Sequence, residues 1–319
     1  MKYLLIGGDG VFAIHLAKRL LGQGHEVIRV GRNPPKPDCY GLKTGGHYHQ
    51  IHFVFEQDRL RKLIVAEKPD YVVNFAALAY ATSWESASRY YNTNVVAVAE
   101  LCEWLQDQPI EKFIQIGTSE LYGSVTSPVD ESAPLYPTSP YAVSKLACDL
   151  HLMTMAKVKH FPVNILRPSN AYGEGQQIWR VIPKAAWCAV TGNKLPLEGG
   201  GCVEKSYIHA SDLASAIQLV TEKAPVGEIY NCGPESPISI RGVVELIAGI
   251  SGIPFEALCQ MAPGRVGEDA CYWLDSTKIK SLGWEPEVSL ENGLKRMIDW
   301  ARTYSHQLKG EEQRFVLRA

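Results

Sequence analysis

The chain predicts an α/β fold, a doubly wound parallel sheet followed by a smaller mixed lobe. Three observations carry that prediction. Short apolar runs alternate with helix-length amphipathic stretches from residue 2 to about 168. A glycine turn, Gly7-Gly8-Asp9-Gly10, stands directly between the first apolar run and the first amphipathic stretch. Beyond Arg167-Pro168 the alternation loosens, and Pro183, Gly199-Gly200-Gly201, Pro225, Pro234 and Pro237 punctuate shorter elements.

Taken in order, residues 2–6 read as a buried strand, 11–21 as a helix closed by Gly22-Gln23-Gly24, and 26–30 as the second strand. Residues 34–46 are rich in turn formers. His47 and His49 would share one face of a strand, but no third ligand at metal spacing follows, so no metal is assigned. A helix over 58–68 ends before Pro69-Asp70, and 71–75 is the next buried strand. A long helix over 84–107, a strand over 112–116, a helix from about 141 to 159 and a strand over 163–166 complete the alternation. In the second lobe Ser239 would cap a helix to about 250, and Ser289 another to about 304. The division implied is a dinucleotide-binding domain of residues 1–172 plus a return segment of about 205–232. A substrate-binding lobe of about 173–204 and 233–319 would face it across a cleft.

Bulk properties narrow the function classes. The chain has 319 residues, 46% of them apolar, and a net charge of −2. With a pI near 6.5 it gives no support for a nucleic-acid or anionic-membrane partner. The apolar run at the amino terminus is too short for a signal-peptide core, and no stretch approaches spanning length, so a cytoplasmic protein is expected. Eight cysteines without a Cys-x-x-Cys spacing read as free thiols in a reducing compartment.

The glycine turn has a physical use. Backbone without side chains approaches a pyrophosphate closely, and the helix amino end meets its charge. The pattern here is Gly7-x-x-Gly10-x-x-Ala13, between strand and helix, which is the Rossmann-type arrangement for a dinucleotide. Gly7, Gly10, Val11 and Phe12 are therefore candidate cofactor contacts. The second strand ends in Gly31-Arg32-Asn33, where an acidic residue would suit NAD and an arginine suits a 2′-phosphate. Arg32 and Asn33 thus favour NADP, with NAD as the alternative and a plain surface cation as the bland reading. Ala76 and Ala77, after Asn74-Phe75, are small enough for a cofactor ribose to lie against the backbone.

Two further runs hold the catalytic candidates. In Ser139-Pro140-Tyr141-Ala142-Val143-Ser144-Lys145 the serine is a good N-cap and the proline a good first helical residue, so Tyr141 and Lys145 stand one turn apart on one face. A fixed ammonium nearby would lower a phenol's pKa toward that of a useful base. Gly117-Thr118-Ser119-Glu120-Leu121-Tyr122-Gly123 follows a strand, at the end where open α/β sheets bind ligands. Thr118 would share a substrate hydroxyl with Tyr141, and Glu120 is a candidate acid/base.

Assembled, these motifs resemble the extended short-chain dehydrogenase/reductase family, and within it the nucleotide-sugar 4,6-dehydratases of the GDP-mannose and dTDP-glucose types. Asn74-x-Ala76-Ala77, Thr118-Ser119-Glu120-x-Tyr122-Gly123, Tyr141-x-x-x-Lys145, Asn170-x-Tyr172-Gly173, Arg265-x-Gly267-x-Asp269 and Leu282-Gly283-Trp284-x-Pro286 stand in family order. The resemblance implies oxidation at sugar carbon 4 assisted by Thr118, Tyr141 and Lys145, proton transfer by Glu120, loss of water from carbon 6 and return of the hydride there. It also implies cofactor contacts from Tyr141, Lys145 and Pro168, substrate contacts from Ser83, Ser119, Asn170, Lys205 and Arg265, and a homodimer through the two long helices. Ser119 precedes the glutamate, as in the GDP-mannose type, where the dTDP-glucose type has an aspartate. Phe55 stands where the family places an aspartate near the adenine. The same family also contains 4-epimerases, 5,6-dehydratases and decarboxylases, and a non-catalytic dinucleotide sensor is the reading from another class.

Overall fold

The computed structural model describes residues 1–34, 47–79, 87–264 and 269–312. Seven strands form one sheet in the order Ile229–Cys232, Val163–Pro168, Lys112–Ile116, Tyr71–Asn74, Lys2–Ile6, Glu26–Gly31, His47–Gln50. Every neighbouring pair in it is parallel. Parallel strands covered on both faces need continuous apolar runs, and Tyr3-Leu4-Leu5-Ile6 and Tyr71-Val72-Val73 supply them.

Strand order reverses at Lys2–Ile6. The chain moves outward from it to Glu26–Gly31 and His47–Gln50, then returns to its other side at Tyr71–Asn74. A crevice at the carboxyl ends of the strands follows from that reversal. On one face, the helices Val11–Gly22 and Ala210–Lys223 pack Leu16, Leu20, Leu213, Ile217 and Val220 against the sheet. On the other, Gln57–Glu67, Ala97–Leu105 and Pro140–Lys159 bury Leu60, Ile64, Leu101, Leu105 and Leu152.

The predicted elements are present with shifted ends. The stretch read as one helix over 84–107 is described from residue 87 onward as Ala87–Tyr91, a π-helical turn Asn92–Val96 and Ala97–Leu105. The wider turn accompanies a buried Asn94, whose side chain accepts from Leu78 N at 2.9 Å and donates to Leu78 O at 3.0 Å and Ser144 Oγ at 2.9 Å. Periodicity cannot report such a tertiary demand.

A third core joins Ile182, Ala185, Trp187, Val243, Ile247, Leu294 and Met297. Its helices Ile240–Ser251 and Leu290–Thr303 start where the serines predict, with Ser239 Oγ accepting from Gly242 N at 2.9 Å and Ser289 Oγ from Asn292 N at 3.3 Å. Both oxygens of Asp212 accept backbone N–H groups, from Glu287 and Val288, each at 3.1 Å. Trp284 Nε1 donates to Asp212 O at 3.2 Å, so this segment is fastened to the helix Ala210–Lys223. Among the described residues no helix is long and apolar enough to cross a membrane, and the seven cysteines are free thiols.

Candidate active site

The catalytic candidates converge because two elements end side by side. Ser139 Oγ accepts from Ala142 N at 3.1 Å and fixes the start of Pro140–Lys159, which places Tyr141, Lys145 and Asp149 on successive turns of one buried face. The neighbouring strand Lys112–Ile116 runs into Gly117, where a Cβ would meet Arg167 Cγ at 2.9 Å. Thr118 then turns the chain into the short helix Ser119–Tyr122, accepting from Glu120 N at 3.3 Å. Its hydroxyl is also hydrogen-bonded to the Tyr141 phenol. Lys145 Nζ donates to Ile116 O at 2.5 Å. Thr118, Glu120, Tyr141 and Lys145 thus form one group, and Ser119 between two of them in sequence is buried.

Burial dominates the electrostatics. It pushes the Glu120 carboxyl up to about 7, helped by Asp269, although the Lys205 and Arg180 cations pull the other way. At that value the group is close to half ionised at neutral pH, which suits both taking and giving a proton. Burial, and then the Glu120 charge, also raise the Tyr141 phenol, against the Thr118 hydrogen bond and Arg180. The expected lowering of this phenol is therefore not seen in the free protein: burial and Glu120 raise it, and the Lys145 ammonium donates to the Ile116 carbonyl.

The glycine turn fits a pyrophosphate. Gly7 has φ +75°, and a Cβ there would lie 2.7 Å from Ala76 N, while one on Gly8 would lie 2.7 Å from Arg29 Cβ. Gly10 precedes the helix Val11–Gly22 and no side chain caps it, so its first N–H groups are directed by backbone alone. Ala76 N donates to Asn74 Oδ1 at 3.0 Å, which shapes the facing wall. Val11 is buried, Phe12 and Ala77 are half-buried, and Pro168 ends its strand opposite Cys232. Arg32 and Asn33 are exposed at the end of the second strand.

Comparison with known proteins agrees with this geometry. Residues 3–233 match the model of the NAD dependent epimerase/dehydratase family. The chain belongs to that family. Family members similar to it include the dTDP-D-glucose 4,6-dehydratase of Mus musculus, 32% identical over 98% of this chain and 92% of the relative. Among solved structures, a dTDP-glucose 4,6-dehydratase from Bacillus anthracis in complex with NAD superimposes with a TM-score of 0.87 at 28% identity, covering 98% of each chain. A UDP-glucose 4-epimerase from Thermotoga maritima with UDP-glucose gives the same score at 26% identity, covering 95% of this chain and 99% of its own.

Residues from later in the chain lie around the catalytic group. Lys205 stands 5.7 Å from the Tyr272 ring and close enough to Glu120 to act on its charge. Asn170 has its Oδ1 buried without a hydrogen-bond partner. Asp269 accepts from Thr138 Oγ1 at 2.6 Å, Tyr272 OH at 2.8 Å and Ser124 Oγ at 3.1 Å, tying the segments of Ser124 and Thr138 to the strand Cys271–Tyr272. Ser83 and Arg265, both expected to touch substrate, lie outside the described residues.

Sequence reasoning missed three contributors. Arg180, whose Nη2 donates to Ala79 O at 3.0 Å, acts on both Glu120 and Tyr141, and nothing in its local sequence signals this. Asp149 pairs with Arg167, Nε to Oδ2 at 2.9 Å, in full burial, and Arg167 Nη1 donates to Tyr122 OH at 2.9 Å. That network joins the catalytic helix to the glutamate loop. Its signal was available, since Asp149 is one turn past Lys145. Asn94 is the third, through Ser144 of the same helix.

Proposed function

We propose that the chain is a nucleotide-sugar 4,6-dehydratase that converts an NDP-hexose to its 4-keto-6-deoxy form. The observation that supports this best is Glu120, a carboxyl brought to about 7 within the group that also holds Tyr141 and Thr118. A 4-epimerase needs only the tyrosine side of this group, because it removes and restores hydrogen at a single carbon. An added carboxyl able to exchange protons at neutral pH suits elimination across a second carbon.

A nicotinamide dinucleotide, NADP or NAD, held by Gly7, Gly10, Val11, Phe12, Ala76 and Ala77 would supply reversible storage of one hydride, taken from carbon 4 and given back at carbon 6. Tyr141 is assigned to take the 4-hydroxyl proton, a step that burial opposes in the free protein and that the positive charge of an oxidised nicotinamide would favour when bound. Thr118 aligns that hydroxyl through its bond to the phenol, and Lys145 holds the end of the strand carrying Thr118. The ketone so formed acidifies the hydrogen on carbon 5. Glu120 takes that proton and passes one to the departing 6-hydroxyl, which leaves as water. Asn170, Lys205 and Arg265 are assigned to the sugar diphosphate, where a cation opposes phosphate charge, and Ser83 and Ser119 to other contacts with the substrate.

A homodimer fits the exposed apolar side chains of the two long helices. Tyr91 and Val96 lie on one, and Val143 and Leu150, seven residues apart on one face, on the other.

Incubation with a panel of nucleotide sugars tests the reaction. The expected product is one water lighter than its substrate and carries solvent deuterium at carbon 5. An unchanged mass with inverted configuration would instead identify an epimerase. Tight dinucleotide binding with no turnover of any sugar nucleotide would favour the sensor.

A further inference from the structure

Asp9 belongs to the glycine turn by sequence, but its carboxylate reaches the end of the second strand. A Cβ built on Gly31 would come within 2.5 Å of Asp9 Oδ1 and 2.7 Å of Tyr48 OH, so these two groups occupy the space a side chain at 31 would take. Asn33 Nδ2 donates to Asp9 Oδ2 at 2.8 Å, and Tyr48 OH donates to the Asn33 carbonyl. Arg29, buried below, donates to Gly8 O at 3.3 Å, lies 5.4 Å from the Tyr48 ring and feels the Asp9 charge. The carboxylate is thus held by Asn33, which Tyr48 braces in turn, with the Arg29 cation nearby.

Its location decides what it would meet. The end of the second strand is where dinucleotide-binding folds read the adenosine ribose, with a carboxylate accepting from the ribose hydroxyls. Here that place in sequence is taken by Gly31-Arg32-Asn33, and an acid arrives in space from the glycine turn instead. A 2′-phosphate brought to the same point would face a fixed negative charge at short range.

Resting on the dinucleotide reading above, we propose that Asp9 is the cofactor-selecting residue of this chain, accepting from the adenosine ribose hydroxyls and excluding a 2′-phosphate, so that NAD is preferred to NADP. Arg32, which by itself favoured NADP, is then an exposed cation with little influence on the choice.

The test is binding. NADH and NADPH are titrated into the purified full-length protein and into Asp9→Asn and Arg32→Ala, followed by nicotinamide fluorescence and calorimetry. The unsubstituted protein is expected to bind NADH at least about tenfold more tightly than NADPH. D9N should weaken NADH about tenfold, the usual scale for a lost charge-assisted hydrogen bond, and bring the two affinities together. R32A should leave their ratio within about threefold of its starting value. Asp9→Ser gives a second reading should D9N fail to fold. A preference for NADPH, or a ratio unmoved by both Asp9 substitutions, overturns the role of Asp9 while leaving dinucleotide binding intact. If neither dinucleotide binds, the role of Asp9 and the dinucleotide reading are both overturned.

Discussion

Replacing Glu120 by glutamine should stabilise the free protein, and only above a definite pH. Burial raises this carboxyl from an ordinary value of 4.5 to about 7. Each pH unit of altered proton affinity is worth about 1.4 kcal/mol, so ionising Glu120 costs the folded state roughly 3 kcal/mol. The sign follows from where protons are held. Between about pH 4.5 and 7 the unfolded chain has released the proton and the folded chain retains it, so this group's contribution to stability falls as pH rises through that window and is level above it. Glutamine does not titrate. Urea denaturation of the dinucleotide-free protein and Glu120→Gln at pH 5, 6, 7 and 8 should show a gap that grows from about 1 kcal/mol at the lowest pH to roughly 3 kcal/mol at the highest, with the variant more stable. Taking the difference removes every other titrating group. A gap that stays constant with pH would show that Glu120 is not held protonated by burial, and its assignment as a neutral-pH acid/base would fall with it. In the dehydratase assay E120Q should still exchange hydrogen at carbon 4 but release no water.

Glu174 should show the opposite sign. Burial raises it, but hydrogen bonds from His209 and its own backbone N–H, with the nearby His15, outweigh that and bring it to about 2. Glu174→Gln should therefore cost up to about 3 kcal/mol near neutrality, a deficit that shrinks in urea titrations as pH falls from about 4.5 toward 2. Arg167→Met leaves Asp149 buried and unpaired, and chemical denaturation should register a loss of about 3–5 kcal/mol, much of it recovered when Asp149→Leu is added. Gly7→Ala forces a Cβ to 2.7 Å from Ala76 N at φ +75°, and should abolish dinucleotide binding in calorimetry while costing about 1–3 kcal/mol of stability. Tyr141→Phe should lower turnover about 10²–10⁴-fold with the folded structure unchanged by circular dichroism.

The fold and most of the candidate site were open to reading from the chain alone, because both rest on short-range chemistry. A strand, a glycine turn and a helix are neighbours in sequence, so Gly7, Gly10 and the helix amino end had to meet. The capping power of Ser139 and the spacing of one helical turn set Tyr141 beside Lys145 in the same way. Apolar runs without alternation marked strands covered on both faces. What tertiary structure alone decided is the set of interactions that act across distance and depend on desolvation. The cations of Arg180 and Lys205 reach Glu120 from segments about 60 and 85 residues further on, and the value near 7 emerges from burial that no local pattern encodes. Burial likewise reversed the expected effect on Tyr141, and Asp9 reached the space beside Gly31 at the end of the second strand. Periodicity and spacing fix which atoms share an element; how strongly each one holds its proton or its ligand depends on which elements close over it.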